Sequence, residues 1–354
     1  MKSKNKGPSV GVDIGTTQLR VAVRRGDEIS IARRDITAEA YQEGQLVPSY
    51  ISGLLKSARE ELNIPIGTPC VSSLNDRTST MRTLRLPEMT HAELIQALPW
   101  EAEQIMPLTA SEIYADGVKL NTPTDKGLQM VALIAAPRTE INNHMEMIRQ
   151  GELHPMAIEP RAQAMVRRFI NSGLLQDAEK NTHLLLDMGS SSTTLVLLQN
   201  QNNEIHEISS RVLSIGGDTI TDNIAKAIEA NFEEAENFKL TFEQHREQSS
   251  THPSSDYRLA LESINTNMAK LSREIINSLE AYNSLHGKRP NSLNICGGGA
   301  LLQAAVESLA ANTRMPVGLN LGRDAHVTGS AEFVGMTIPK EPKQKGKGRG
   351  KKNA

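Results

Sequence analysis

The sequence predicts an α/β fold of two similar lobes, with a small α/β subdomain inserted into the first. Two observations lead there. A hairpin pattern occurs twice: Val10 to Val23 reads as an alternating strand, a tight turn and a second alternating strand, and Leu184 to Leu198 repeats the plan. Asp13 and Asp187, Gly15 and Gly189, and Thr16 and Ser190 each stand 174 residues apart. The segments between and after the two copies read in turn as strands and helices, the pattern of layered α/β architectures. A length of 354 residues is enough for roughly two domains.

In chain order, the first hairpin is followed by helical spacing from Tyr50 to Leu62 and a strand-like stretch over Cys70–Leu74. Residues 84–156 read as the insert, with a helical stretch from His91 to Met106, a strand over Leu128–Ala136, and a helix from Thr139 to Gln150 ending near Gly151. Pro99 lacks an N–H and clashes with the preceding turn, so a break or kink is predicted there, with Pro99 opening a new turn. Ala162, Met165, Val166 and Phe169 mark one face of a connecting helix. After the second hairpin, Thr219 and Asp222 resemble a capping box, and Ile220, Ile224, Ala227 and Ile228 form one apolar face. Residues 244–256 read as a polar loop. Tyr257, Leu261, Ile264, Met268, Leu271, Ile275, Leu279 and Tyr282 then mark a long amphipathic helix whose stripe reads as core. Ser292–Cys296 reads as a strand, Gly297–Gly299 as a turn, and Ala300–Leu309 as a helix.

Composition removes several classes of function. The longest apolar run, Met130–Ala136, is far short of the ~20 residues a spanning helix needs. No signal-peptide core follows the Lys-rich first residues, so a cytosolic protein is expected. Cys70 and Cys296 have no metal-ligand spacing and read as small buried hydrophobes. Residues 340–354 hold seven Lys/Arg against one Glu and nothing apolar beyond the last Ala, so a disordered basic tail is expected over 339–354. There is no GxxxxGK[ST], no GxGxxG after a strand and no HExxH.

Each Asp-x-Gly turn has the parts of a phosphate cradle. Gly15 and Gly189 permit the turn and a close backbone approach. The N–H groups that follow, with the hydroxyls of Thr16, Thr17, Ser190 and Ser191, can donate to phosphate oxygens. Asp13 and Asp187, at the strand ends, can orient waters around Mg²⁺. Gly216 and Gly217 open a helix whose N-terminus can approach the same ligand. Gly297, Gly298 and Gly299 lie where side chains would obstruct a planar adenosine.

Taken in order, these features resemble the actin-like ATPase superfamily, with its duplicated, ribonuclease H-like two-lobed fold. Within it, Trp100-Glu-Ala-Glu-Gln-Ile-Met-Pro107 resembles the Trp-Glu-Ala-Glu-Gln-x-Ile-Pro signature of the PilM family, cytoplasmic proteins of type IV pilus assembly. Leu133–Pro137, Gly151–Pro155 and Glu274–Tyr282 resemble that family's later segments, and the FtsA family is next in likeness. On this plan the first lobe takes residues 8–83, 157–182 and about 325–338, and the insert 84–156. The second lobe takes 183–232 and 288–324, with a helical subdomain at 233–287.

The resemblance implies ATP with Mg²⁺ between the lobes. Gly15, Thr16 and Thr17 would hold the terminal phosphates, and Asp13 and Asp187 would serve the metal–water shell and any catalysis. Arg20 stands where the superfamily often has a phosphate-contacting Lys; its alternative is an exposed strand residue. Glu236 and Lys239 match the segment edging the adenosine, with a solvated helix face as the alternative. Ile158–Arg161 has no Gln to position water, and Glu159 reads as structural, so at most a slow ATPase is expected.

The implied partner is the cytoplasmic N-terminal segment of a PilN-like bitopic membrane protein. Other implied partners are the pilus assembly platform and its motor components, at the inner face of the inner membrane. Nucleic acid is not expected. Two rivals stay open: a small-molecule kinase of the same superfamily, and an FtsA-like filament protein that tethers to membrane.

Overall fold

The computed structural model describes residues 9–74, 77–120, 124–174, 182–201, 204–244, 254–287, 289–290, 292–319 and 321–333. The basic tail and most of the 244–256 loop lie outside the described residues.

The described residues begin with three strands, β1 (Ser9–Ile14), β2 (Gln18–Arg25) and β3 (Glu28–Asp35), and a small ribbon, β4 (Tyr41–Gln42) and β5 (Gln45–Leu46). Then come α1 (Pro48–Glu61), β6 (Pro69–Leu74), β7 (Thr80–Pro87), α2 (His91–Glu103), β8 (Ile113–Leu120), β9 (Leu128–Pro137), α3 (Arg138–Gln150), β10 (His154–Pro160) and α4 (Arg161–Asn171). The second half holds β11 (Thr182–Met188), β12 (Thr193–Gln201), β13 (Glu204–Leu213), α5 (Gly217–Ala227), α6 (Phe232–Leu240) and α7 (Ser255–His286). It closes with β14 (Leu293–Cys296), α8 (Gln303–Thr313), β15 (Val317–Gly318) and α9 (Ala325–Ala331).

The duplication holds at the level of strand order. One sheet runs β3-β2-β1-β6-β10 and the other β13-β12-β11-β14-β15. In both, three antiparallel strands are followed by two parallel additions. Asp13 sits opposite Arg20 and Ser73; Asp187 holds the equivalent place, opposite Thr194 and Cys296. Both central strands are buried along their whole length, as a strand covered by helices on each face must be.

Several expected boundaries move. β7 pairs with β9 in a separate sheet, β7-β9-β8, so the insert's sheet starts at Thr80 and not at 84. α3 and the first residues of β10 (154–156), expected in the insert, pack with the first lobe: β10 pairs with β6, and Met147, Ile148 and Leu153 join that lobe's apolar core. The insert is therefore a three-stranded sheet covered by α2, whose Leu94, Leu98 and Ala102 pack on Ile113, Val131 and Leu133. α2 runs through Pro99 without ending, contrary to the predicted new turn. Only one further turn follows Pro99, so little helix depends on the lost N–H. α5 begins at Gly217, which puts Thr219 inside its first turn and removes the capping box. Gly298–Leu301 forms a 3₁₀ turn before α8, so that helix starts later than expected.

The predicted stripe on α7 is core: Tyr257, Ile264, Met268, Leu271, Ile275, Leu279 and Tyr282 share one cluster with Leu184, Leu186, Leu195 and Leu293 of the second sheet. The helical segment thus shares the second lobe's core. α4 joins the lobes. Its Met165, Val166 and Phe169 pack with Leu185, Val196, Leu198 and Cys296 of the second lobe, and α9 lies beside it. Cys70 and Cys296 are free and buried, as their composition reading predicts.

Candidate functional site

The hairpin turns β1–β2 and β11–β12 close in the same way: Gly15 N–H donates to the Gln18 carbonyl and Gly189 N–H to that of Ser192, both at 3.0 Å. The two turns meet. Thr16 Oγ1 and Ser190 Oγ, from opposite lobes, are 2.5 Å apart. Tyr41 Oη donates to the Thr16 carbonyl and braces the first turn. Thr17 is exposed, and Ser190 and Ser191 are half-buried.

The second turn is docked onto α5. Gly217 and Asp218, first in the helix, donate their N–H groups to the carbonyls of Gly189 and Ser190, at 2.9 and 2.8 Å. Gly216 is required for that approach, because a Cβ there would overlap the backbone of Ser190 and Ser192. Lys239 reaches back from α6 to the Gly217 carbonyl (3.1 Å), Thr221 Oγ1 (2.6 Å) and Glu236 (2.7 Å). Glu236 also accepts from Thr221 at 2.5 Å. This pair therefore ties α6 to α5, and the solvated-face alternative is set aside. Gly297 has φ +85°, a conformation natural to glycine, and a Cβ there would overlap Asp187 Oδ1. Gly299 packs on Met188, whereas Gly298 faces open space.

The aspartates differ from expectation. Asp13 has no exposed surface. Its Oδ1 accepts from Arg161 Nε (2.7 Å) and Ser73 (3.0 Å), and its Oδ2 from Arg20 (3.0 Å), with His326 Nε2 at 3.2 Å. Burial pushes its pKa up, but Arg161, His326 and Arg20 together hold it well below the usual carboxylate range. Arg20 is not an exposed strand residue: it pairs with Asp13 and, through Nε at 3.2 Å, with Asp324. Asp187 is buried, with Oδ1 lacking a hydrogen-bond partner and Oδ2 3.6 Å from His326 Nδ1.

These residues do not fit a magnesium shell. A carboxylate offers about four acceptor positions, and on Asp13 four donors fill them. Among the described residues, no group of three or more His, Cys, Asp or Glu is placed to hold a metal ion. Glu159 accepts from both Arg167 Nη atoms (2.7 and 2.5 Å) and from Ser330 (3.0 Å), a structural carboxylate as expected.

Sequence reasoning missed His326 and Arg161. His326 lies in α9, far from both hairpins in sequence and outside any motif. Burial lowers its pKa, yet the facing Asp13 and Asp187 raise it above the usual imidazole value. Arg161 closes the segment scanned for a water-positioning Gln, and no local pattern marks it as the partner of Asp13.

Comparison with known proteins agrees with this architecture. The family model for the type IV pilus assembly protein PilM matches residues 11–324. Cell division protein FtsA of Bacillus subtilis (strain 168) is 25% identical over 264 residues, 65% of this chain and 57% of FtsA. The chain thus spans little more than half the length of that curated relative. A PilM–PilN type IV pilus biogenesis complex superposes with a TM-score of 0.76 at 22% identity, covering 92% of this chain and 97% of that one. The ethanolamine utilization protein EutJ from Carboxydothermus hydrogenoformans gives 0.55 at 14%, covering 93% and 91%. Likeness at these identities shows the fold, which is the actin-like two-lobed α/β architecture. With a family model covering nearly all of the described chain, the protein belongs to the type IV pilus assembly protein PilM family.

Proposed function

We propose that this chain is a nucleotide-binding adaptor of a type IV pilus or related secretion machine. ATP would lie against the two hairpin turns, and its occupancy would set the angle between the lobes. The observation that supports the reading is the contact of Thr16 with Ser190 across the lobes, which brings the two glycine turns together. Gly15, Thr16, Thr17, Gly189, Ser190 and Ser191 would hold the phosphates. Gly216, Gly217, Glu236, Lys239 and Gly297–Gly299 would border the nucleoside. Hydrolysis would be slow at most, because Glu159 is committed to Arg167 and Ser330.

The partner would be the cytoplasmic N-terminal segment of a PilN-like bitopic membrane protein, which would hold the chain at the inner face of the inner membrane. The pairing of PilM with PilN in the structurally similar pilus biogenesis complex supports this choice. Among the described residues, no helix is long and apolar enough to cross a membrane.

Trp100, the only tryptophan, is 66% exposed on α2 and so reports on the insert's surface. Titrating a synthetic PilN-like N-terminal peptide is expected to shift Trp100 emission to the blue. Trp100→Ala is expected to weaken that peptide's binding while changing stability by no more than about 0.5 kcal/mol. Unchanged peptide affinity in that variant removes the insert's outer face from the interface.

A further inference from the structure

We propose that His326 occupies the place between Asp13 and Asp187 where the family plan expects a hydrated magnesium ion, so that the cleft takes its nucleotide without a divalent ion on these aspartates. The proposal rests on the nucleotide reading above. One imidazole ring spans two carboxylates from opposite lobes: Nε2 is 3.2 Å from Asp13 Oδ2 and Nδ1 is 3.6 Å from Asp187 Oδ2.

The other positions are closed as well. Arg161, Ser73 and Arg20 take the rest of Asp13, and Asp187 Oδ1 is buried, with Gly297 so near that a Cβ there would overlap it. Arg20 is itself held by Asp324, which also binds Arg33, so these groups form a connected network. Mg²⁺ demands octahedral oxygen ligands and keeps several waters; the ring leaves no room for that shell between the aspartates. The ring is itself buried, 3% exposed, so swinging it out of this place would break the packing around it.

The loss of an ion bridge need not leave the lobes uncoupled. His326 Nδ1 and Asp187 Oδ1 are both buried without a hydrogen-bond partner. A small approach of the lobes brings Nδ1 within hydrogen-bonding distance of Asp187. Nucleotide that changes the angle between the lobes would thus be read through the ring.

The test is a fluorescence titration of the full chain with N-methylanthraniloyl-ATP, in MgCl₂ and in excess EDTA. The affinities are expected to agree within about threefold. His326→Ala opens the space between the aspartates and is expected to bind at least about tenfold more tightly with MgCl₂ than with EDTA. If a thermal melt shows that variant unfolded, His326→Asn, which also shortens the side chain, takes its place under the same criterion. A tenfold loss in EDTA for the unaltered chain overturns the proposal and leaves the nucleotide reading standing. Absence of binding in both buffers overturns both. A His326 variant that folds and binds equally in both buffers also overturns the proposal, because the ring would then not be what excludes the ion.

Discussion

Replacing Asp13 with alanine would strand Arg20 and Arg161, each only 13–15% exposed, beside a vacated carboxylate site. Breaking a buried pair from one side typically costs about 3–5 kcal/mol, and urea unfolding of Asp13→Ala is expected to show a loss of that size. His144 carries a separate prediction. It is buried against Ser72 Oγ at 2.7 Å, Ser72 donates in turn to the Val12 carbonyl, and burial lowers the imidazole pKa to about 4. The unfolded chain takes up a proton at this residue as pH falls through about 6.5, whereas the folded chain refuses it. The stability due to neutral His144 is therefore complete above that pH and declines towards pH 4, by about 3 kcal/mol over the interval. Urea midpoints across this range check it, and His144→Gln is expected to flatten the slope. His326, whose pKa is raised, acts in the opposite sense: its contribution is present at low pH and fades as pH rises through its folded value. At this scale Asp13, Asp187, Thr16 and Ser190 were legible because a repeat marks them. His326 and Arg161 were not, since the contacts that define them join residues 313 and 148 apart.

Elements were legible where burial is one-sided and periodic. The α7 stripe and the α4 face come straight from their spacing, because each helix buries a single face. β7 and β10 were harder. β7 reads Thr-Met-Arg-Thr-Leu-Arg-Leu-Pro, with only Met81 and Leu86 buried, and which sheet it joins is decided by pairing with β9, far along the chain. Nor does local pattern reveal that α3 leaves the insert, since its buried face meets α1 of the first lobe. α5 carries the prediction at this scale. Its N-terminus is seated on the second hairpin turn only because Gly216 lacks a side chain. Gly216→Ala is expected to cost about 1–3 kcal/mol through overpacking and to weaken N-methylanthraniloyl-ATP binding, with thermal melts and titrations as the two measurements.

The whole molecule is two copies of one sheet plan held together by a helical layer that belongs to both. Phe169 of α4 is fully buried in that layer and lies 4.9 Å, centroid to centroid, from His183 of β11. Phe169→Ala is expected to cost about 3–5 kcal/mol and to split a single unfolding transition into two, as seen by calorimetry. The duplication was legible from the spacing of two aspartates, but the joining layer is a property of packing between distant segments. α9 shows what such packing entails. It lies against β1, β6 and α4, and Ser9 at the start of β1 hydrogen-bonds the Ala331 carbonyl. During synthesis, the second sheet has all its described strands once residue 318 has left the ribosome, whereas the half made first still lacks α9. A released chain truncated after residue 324 is expected to show a protease-resistant second half and a digestible first half, reversing the order in which the two were translated.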